Sequence, residues 1–169
     1  DCLMPRFGAE SRDSLRAGEV TAVGPPPDDA ELLFIGRIRT PWTARELCPR
    51  QGADDGPECR IELFSPWDKA VSGLEEHDRI EVLYWLDRAR RDLVVQNPGG
   101  DGPLYGTFAL RSPVRPNPIG TAEPLLLGIE GPILRVRGLD CLDRTPLLDL
   151  KPARASFTPK ARAKPGVSD

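Results

Sequence analysis

Residues 119–138 read IGTAEPLLLGIEGPILRVRG, and this stretch decides the fold class of the chain. Two apolar runs, Ile119–Leu127 and Pro132–Gly138, flank a glycine-rich segment at 128–131. Apolar runs of this length on either side of a glycine-rich turn are typical of two antiparallel strands in a hairpin. The stretch therefore predicts β-structure in this part of the chain.

Short segments of the same kind recur at intervals of about ten residues, as in barrels and sandwiches. They are Glu31–Ile38, Cys59–Phe64, Arg79–Trp85, Asp92–Gln96, Leu104–Leu110 and Leu147–Leu150. The one helix candidate is Pro66–Leu74, and the 19 prolines exclude long helices over most of the chain. We predict an all-β fold, a small β-barrel of short strands with at most short helices.

The 169 residues suit one domain with tails. Residues 1–30, with their Pro25–Pro27 run, carry little periodic apolar pattern and predict a disordered or extended N-terminal tail. Residues 31–157 are the predicted barrel domain, and the polar residues 158–169 are a C-terminal tail. No apolar run is long enough to cross a bilayer and no secretory signal is visible, so we expect a cytoplasmic protein with no membrane partner.

The metal-ligating residues are few and scattered. None of the four cysteines forms a Cys-x-x-Cys pair, and His77 is the single histidine, so no metal site is predicted. The net charge of −3 weighs against a general nucleic-acid binder. The locally basic segments 86–91 and 151–164 can still guide RNA, or they can be solvated faces.

The most unusual stretch is the loop at 111–120, RSPVRPNPIG. Its three prolines stiffen the backbone, and a rigid loop presents polar side chains to a ligand at a low entropic cost. Arg111, Arg115 and Asn117 lie on this frame and suit a carboxylate or a phosphate. The alternative is a proline-stiffened connector with exposed arginines.

Aspartates recur between apolar residues at 138–152, GLDCLDRTPLLDLKP. In a strand, Asp149 and Lys151 lie on the face opposite Leu148 and Leu150, where they can form the polar wall of a pocket. The alternative is a turn at 143–146 followed by an edge strand. No dinucleotide-binding glycine motif, Walker loop or hydrolytic triad accompanies these stretches.

Taken together, the motifs resemble the TsaA-like family, also called TrmO, of tRNA methyltransferases. The resemblance runs from Ile35-Gly36-Arg37 to Lys151-Pro152 and includes Pro49-Arg50-Gln51 and the loop at 111–120. It implies a β-barrel, S-adenosyl-L-methionine as the methyl donor and a homodimer with the cofactor near the subunit interface. It also implies N6-methylation of threonylcarbamoyladenosine at position 37 of tRNA.

By position, the resemblance assigns cofactor contacts to Pro49, Arg50, Gln51, Leu86, Asp87, Arg111, Thr121, Asp143, Arg144, Thr145 and Pro146. We expect Asp149 and Lys151 to contact the modified base as catalytic candidates, and Arg115 and Asn117 to position the substrate. The chain departs from the family pattern at three positions, where the family usually has His, Gly and Tyr in place of Asp87, Arg144 and Ala153. The alternatives are a methyltransferase of this fold acting on another RNA or a small molecule, and a non-catalytic S-adenosyl-L-methionine-binding regulatory module.

Overall fold

The computed structural model describes residues 15–22 and 30–159. The predicted all-β class is confirmed, since the regular elements are strands and short 3₁₀ turns. The strands are β1 (Val20–Thr21), β2 (Gly36–Arg39), β3 (Glu58–Leu63), β4 (Ile80–Trp85), β5 (Leu93–Gln96), β6 (Tyr105–Gly106), β7 (Ile119–Ala122), β8 (Leu125–Glu130), β9 (Ile133–Arg137) and β10 (Thr145–Pro152). The 3₁₀ turns are Arg45–Leu47, Trp67–Lys69, Leu74–Glu76, Thr107–Ala109 and Arg154–Ser156.

Seven strands form the larger sheet, in the order β7-β4-β10-β2-β3-β9-β8. All of its pairings are antiparallel. Along β3, β4 and β9, every second side chain points toward a common core, as expected for strands, in which successive side chains point to opposite faces. The most deeply buried core side chains are Ile38, Ile61, Ile80, Val82, Leu134, Val136 and Leu147.

The predicted barrel is wrong, because the larger sheet is open. Strands β7 and β8 lie at its opposite edges and are separated in the chain only by Glu123 and Pro124. Pro124 has no amide hydrogen to donate to a ladder, so the long strand predicted over 119–127 is broken there. Among the described residues, one isolated bridge links Leu125 of β8 to Arg79, the residue just before β4, so the β8 edge meets the strand next to β7.

The smaller sheet contains three strands in the order β1-β5-β6. Its first strand belongs to residues 15–22, which we assigned to the N-terminal tail. This segment is tied to Asn97, whose backbone N–H donates to Glu19 Oε1 at 2.8 Å and whose carbonyl accepts from Arg16 Nη1 at 2.7 Å. The rest of the two predicted tails, residues 1–14, 23–29 and 160–169, lies outside the described residues.

Three local predictions differ from the structure in detail. The helix candidate Pro66–Leu74 is resolved into two separate 3₁₀ turns, because Gly73 adopts a left-handed conformation with φ of 93° between them. The hairpin is present, but β8 extends to Glu130 and the turn is reduced to Gly131 and Pro132. The segment Leu104–Leu110, predicted as one strand, is a two-residue strand followed by a 3₁₀ turn.

Candidate functional site

A polar cleft of about 370 Å³ lies at one end of the larger sheet. Strands β4 and β10 are antiparallel, so the residues that follow β4 lie beside those that precede β10. Strand β2 pairs with the beginning of β10 and adds its own side chains there. The cleft is lined by Arg37, Asp87, Arg88, Leu142, Asp143, Arg144 and Thr145.

Backbone and side-chain hydrogen bonds hold the turn that forms one wall of the cleft. The Asp143 carboxylate accepts from the Thr40 backbone N–H at 3.1 Å and pairs with Arg39 at 3.6 Å. The Thr145 hydroxyl donates to the Leu142 carbonyl at 2.7 Å. These contacts fix the turn before β10 begins, so its side chains are presented to the cleft in one arrangement.

Arg144 adopts a left-handed backbone conformation, with φ of 67°. It is the only non-glycine residue with a positive φ in the described part of the chain. Left-handed backbone is unfavourable for a residue with a Cβ, at a cost of about 1–2 kcal/mol. The resemblance implies a glycine at this position, which suits that conformation, whereas this chain accepts the strain and adds a guanidinium to the cleft.

Asp87, which follows β4, also lines the cleft. Its side chain is exposed, but neighbouring protein atoms partly desolvate the carboxyl and raise its pKa above the ordinary value. The positive charges of Arg88 and Arg37 act in the opposite direction on that pKa. An acidic group between two cations can accept hydrogen bonds from hydroxyl or ammonium groups of a ligand while the arginines meet its anionic groups.

A second group of site residues surrounds Asp140. The buried Tyr84 hydroxyl donates to Asp140 Oδ1 at 2.7 Å, and burial raises the pKa of the Asp140 carboxyl. The Tyr84 hydrogen bond and the charge of Arg111 act against that rise. Burial, followed by the charge of Asp140, raises the pKa of the Cys48 thiol. Arg111 and Cys48 are therefore both within electrostatic reach of Asp140.

The exposed segment Pro49-Arg50-Gln51 continues from Cys48 toward the same region. The next residue, Gly52, packs directly on the backbone of Gly138, so closely that a Cβ at position 52 would collide with the Gly138 carbonyl. This contact brings the loop next to the chain that leads into Asp140. Pro49–Gln51, Arg111 and Asp140 thus form one neighbourhood, distinct from the lining of the cleft.

The proline-rich loop connects these two neighbourhoods. It begins at Arg111, near Asp140, and at its other end the Pro118 carbonyl accepts from the Leu86 N–H at 2.8 Å, next to Asp87. Within the loop, Arg115 Nη1 donates to the Leu110 carbonyl at 2.6 Å. Asn117 Oδ1 accepts from Arg91 Nη2 at 3.4 Å. Arg115 and Asn117 therefore brace the loop, and their predicted substrate contacts stay a prediction.

The remaining candidates, Thr121, Asp149 and Lys151, lie on the face of the larger sheet that points away from the core. Thr121 on β7 and Asp149 on β10 both pair with Leu83 of β4, from opposite sides. Lys151 lies two residues further along β10, and its ammonium is 3.2 Å from Asp149 Oδ2. The pairing of Asp149 and Lys151 on one strand face agrees with their predicted placement, while their catalytic role stays a prediction.

The structure thus brings Asp87, Asp143, Arg144 and Thr145 together in the lining of the cleft, whereas Thr121, Asp149 and Lys151 are not among its lining residues. Pro146 is buried in β10, with its neighbour Thr145 at the cleft. Reasoning from the sequence missed Arg37 and Arg88 as lining residues, although Arg37 lies in the motif at 35–37 and Arg88 directly follows the candidate Asp87.

No cluster of three or more His, Cys, Asp or Glu side chains suited to a metal occurs within 15–22 and 30–159. In the same residues, no helix has the length and apolarity to cross a membrane.

Residues 37–157 match the family described as the tRNA-methyltransferase O N-terminal domain. The chain belongs to the TrmO family. The matched range includes every residue that lines the cleft and the whole proline-rich loop, so the resemblance drawn from the motifs is confirmed.

Relatives in the TrmO family differ in how their function is described. A Rhizobium radiobacter protein named as probable S-adenosyl-L-methionine-binding protein VirR is 48% identical over 154 residues, covering 91% of this chain and 88% of the relative. A mouse tRNA (adenine(37)-N6)-methyltransferase is 34% identical over 131 residues, covering 73% of this chain and 30% of the mouse protein. The crystal structure of TrmO from Pseudomonas aeruginosa has a TM-score of 0.62 at 31% identity, covering 83% of this chain and 63% of that one. The chain therefore spans less than two thirds of the solved TrmO structure.

Proposed function

We propose that this protein is an S-adenosyl-L-methionine-dependent tRNA methyltransferase that methylates N6 of threonylcarbamoyladenosine at position 37. The observation that carries the proposal is the family match, which extends over residues 37–157 and contains the entire cleft. The mouse relative's name supports the finer assignment to adenine 37 of tRNA. A tRNA substrate supports a cytoplasmic location, and we further propose the homodimer that the family resemblance implies.

The chemistry of the cleft suits the proposed cofactor. Its volume of about 370 Å³ lies in the range typical of small-molecule sites. The guanidinium groups of Arg37, Arg88 and Arg144 are candidates to bind the carboxylate of the methionine moiety, and Asp87 and Asp143 are candidates to accept from its ammonium or from ribose hydroxyls. Bound there, S-adenosyl-L-methionine supplies a methyl group on a positively charged sulfur.

The protein's own contribution is to bind and align the two reactants, because methyl transfer needs the acceptor in line with the donor. The rigid loop from Arg111 to Pro118 is suited to this because its position is set at both ends. Asp149 is our candidate to accept the proton of the acceptor nitrogen, and the ammonium of Lys151 at 3.2 Å keeps its carboxylate oriented. Lys151 is also placed to meet a phosphate or the carboxylate of a threonylcarbamoyl group.

A second candidate function is binding of S-adenosyl-L-methionine without methyl transfer. The Rhizobium relative, which aligns with most of this chain, is named for binding alone. Arg144, where the family usually has glycine, also makes this turn bulkier beside the cleft.

The deciding experiment combines cofactor titration with a transfer assay on the full chain. We expect calorimetry to give micromolar affinity for S-adenosyl-L-methionine, about −8 kcal/mol, with competition by the demethylated product. The protein is then incubated with the cofactor and with tRNA that carries unmethylated threonylcarbamoyladenosine. Mass spectrometry of the nucleosides should find this nucleoside heavier by one methyl group.

Each contrary outcome has a distinct meaning. Cofactor binding without any methylated nucleoside would support the binding protein instead. Methylation of another nucleoside would correct the substrate and leave the activity standing. The lack of cofactor binding would overturn both candidate functions.

A further inference from the structure

One exposed aromatic side chain beside the site is unexplained by the proposed cofactor or by the core. Phe108 is 79% exposed, the highest value among the large apolar side chains in the described residues. It lies three residues before Arg111, in the 3₁₀ turn Thr107–Ala109. A single exposed apolar side chain is ordinary on a protein surface, so the case for a binding role rests on how Phe108 is held and on the cation beside it.

A buried network holds Phe108 in place. Its neighbour Thr107 is buried, and the Thr107 hydroxyl donates to the Leu93 carbonyl at 2.6 Å. Gln96 Nε2 donates both to Thr107 Oγ1 at 3.0 Å and to the Val114 carbonyl at 2.8 Å. Gln96 thereby joins the residue before Phe108 to the residue before Arg115, so the exposed Phe108 and the half-buried Arg115 are set side by side.

Arg115 completes the arrangement. Its guanidinium carbon lies 5.8 Å from the centre of the Phe108 ring, within range of a cation–π interaction. The same guanidinium donates to the Leu110 and Ser112 carbonyls at 2.6 and 3.2 Å. A ring and a cation that are already ordered lose little entropy when a ligand stacks on them.

The segment of chain that contains this pair carries a net positive charge. Residues 85–117 contain five arginines and three aspartates in a protein whose net charge is −3. One of these aspartates, Asp92, is paired with Arg90 at 2.7 Å. Positive charge next to an ordered aromatic ring is the combination that binds single-stranded nucleic acid, in which the ring stacks on an unpaired base and the cations meet phosphates.

We infer that Phe108, braced by Arg115, is a stacking platform for an unpaired base of the RNA substrate. The inference deepens the proposed function, since it rests on an RNA substrate and names the surface that holds a base beside the reacting one. Its position fits this role, because the proline-rich loop runs from this platform to the Leu86 N–H at the rim of the cleft.

The test measures RNA binding directly, without cofactor or methyl transfer. The probe is a short single-stranded RNA of uridines with one 2-aminopurine, whose fluorescence falls when it stacks on an aromatic ring. We expect Phe108→Ala to weaken binding of this probe about tenfold, equivalent to about 1.4 kcal/mol, and to abolish the quenching. Phe108→Trp should retain both, while Phe108→Leu, which keeps an apolar side chain without a ring, should behave as Phe108→Ala does.

Phe64→Ala is the matched control, because Phe64 is another exposed phenylalanine, 43% accessible, outside this loop. It should leave the affinity for the probe unchanged. Wild-type affinity in Phe108→Ala would overturn the inference. So would a change in mass by sedimentation equilibrium from wild type to Phe108→Ala, because Phe108 would then contact a second copy of the chain.

The inference and the proposed function fail separately. If the wild-type protein methylates tRNA and Phe108→Ala binds the probe normally, the platform is refuted and the activity stands. If binding depends on Phe108 but no nucleoside is methylated, the platform stands and the activity is refuted.

Discussion

Removal of one hydroxyl, in Tyr84→Phe, tests how the site around Asp140 is held. The Tyr84 ring stays in place against Gly120, and only the 2.7 Å hydrogen bond to Asp140 Oδ1 is lost. A hydrogen bond to a charged acceptor contributes about 1.5–3 kcal/mol when it is removed from one side. We therefore expect the free energy of unfolding to fall by about 2 kcal/mol near neutral pH, which is roughly 4–8 °C in Tm for a chain of this size.

The stability lost in Tyr84→Phe is expected to depend on pH, because the hydroxyl interacts with the titratable carboxyl of Asp140. Burial raises the pKa of Asp140 above its ordinary value of 3.8, so the folded state binds this proton more tightly than the unfolded state. The contribution of Asp140 to stability is therefore present at low pH and is lost as the pH rises through the folded-state pKa. The Tyr84 hydroxyl opposes that loss by stabilising the ionised carboxylate. Without it, the pKa of Asp140 rises further, and the stability difference between the two proteins grows as the pH rises.

The assay is urea unfolding of both proteins at about pH 4 and about pH 8, followed by tryptophan fluorescence. Asp140→Asn, alone and combined with Tyr84→Phe, completes a double-mutant cycle that isolates the pairwise energy. In the Asp140→Asn background, Tyr84→Phe should cost about 1 kcal/mol and no longer depend on pH in this range. A loss below about 0.5 kcal/mol at both pH values, or an equal loss with and without the carboxylate, would refute the reasoning.

Three further changes test the close packing at Gly120, the backbone strain at Arg144, and the ion pair of Asp149 with Lys151. Gly120→Ala should lower the free energy of unfolding by about 2 kcal/mol, because its Cβ would collide with the Tyr84 ring. The control in urea unfolding is Gly128→Ala, because a Cβ at position 128 has ordinary contacts. Equal losses of stability in the two variants would contradict the prediction. Arg144→Gly should be more stable than Arg144→Ala by about 0.5–1 kcal/mol. Both variants remove the charge, but only glycine relieves the backbone strain at a φ of 67°. An alanine variant as stable as the glycine variant would count against the prediction. Lys151→Ala should slow single-turnover methyl transfer to tRNA by about tenfold, or 1.4 kcal/mol in the barrier, at unchanged cofactor affinity. The exposed Lys69→Ala is its control, and full activity in Lys151→Ala would reduce this lysine to a surface residue.

Local patterns identified most of the strands, because the alternation of apolar and polar side chains is written into neighbouring positions. Predicted segments at Cys59–Phe64, Arg79–Trp85 and Asp92–Gln96 coincide within one residue of β3, β4 and β5. The predicted barrel is wrong because β7 and β8, although consecutive in the chain, lie at opposite edges of an open sheet. Whether the two edges join depends on pairing with a distant strand, which no local pattern contains.

The docking of residues 15–22 onto β5 was also invisible in the local sequence. The proline run and sparse apolar pattern predicted a tail, but Arg16 and Glu19 bind backbone and side-chain groups around Asn97. Polar contacts of this kind depend on the partner's unpaired groups at a sheet edge, and these exist only after the sheet has formed.

The sequence by itself determined the all-β class, the stiffness of the proline-rich loop and membership of the TrmO family. These properties follow from residue types and spacings along the chain. Only the tertiary structure decided that Arg37, Asp87 and the turn at 142–145 share one cleft, and that Arg144 adopts a left-handed conformation. It also decided that Asp149 and Lys151, whose charged groups are 3.2 Å apart on β10, are not among the residues that line that cleft. The physical reason is that the register of antiparallel pairing brings together segments far apart in the chain, and that register is set by the packing of the whole core.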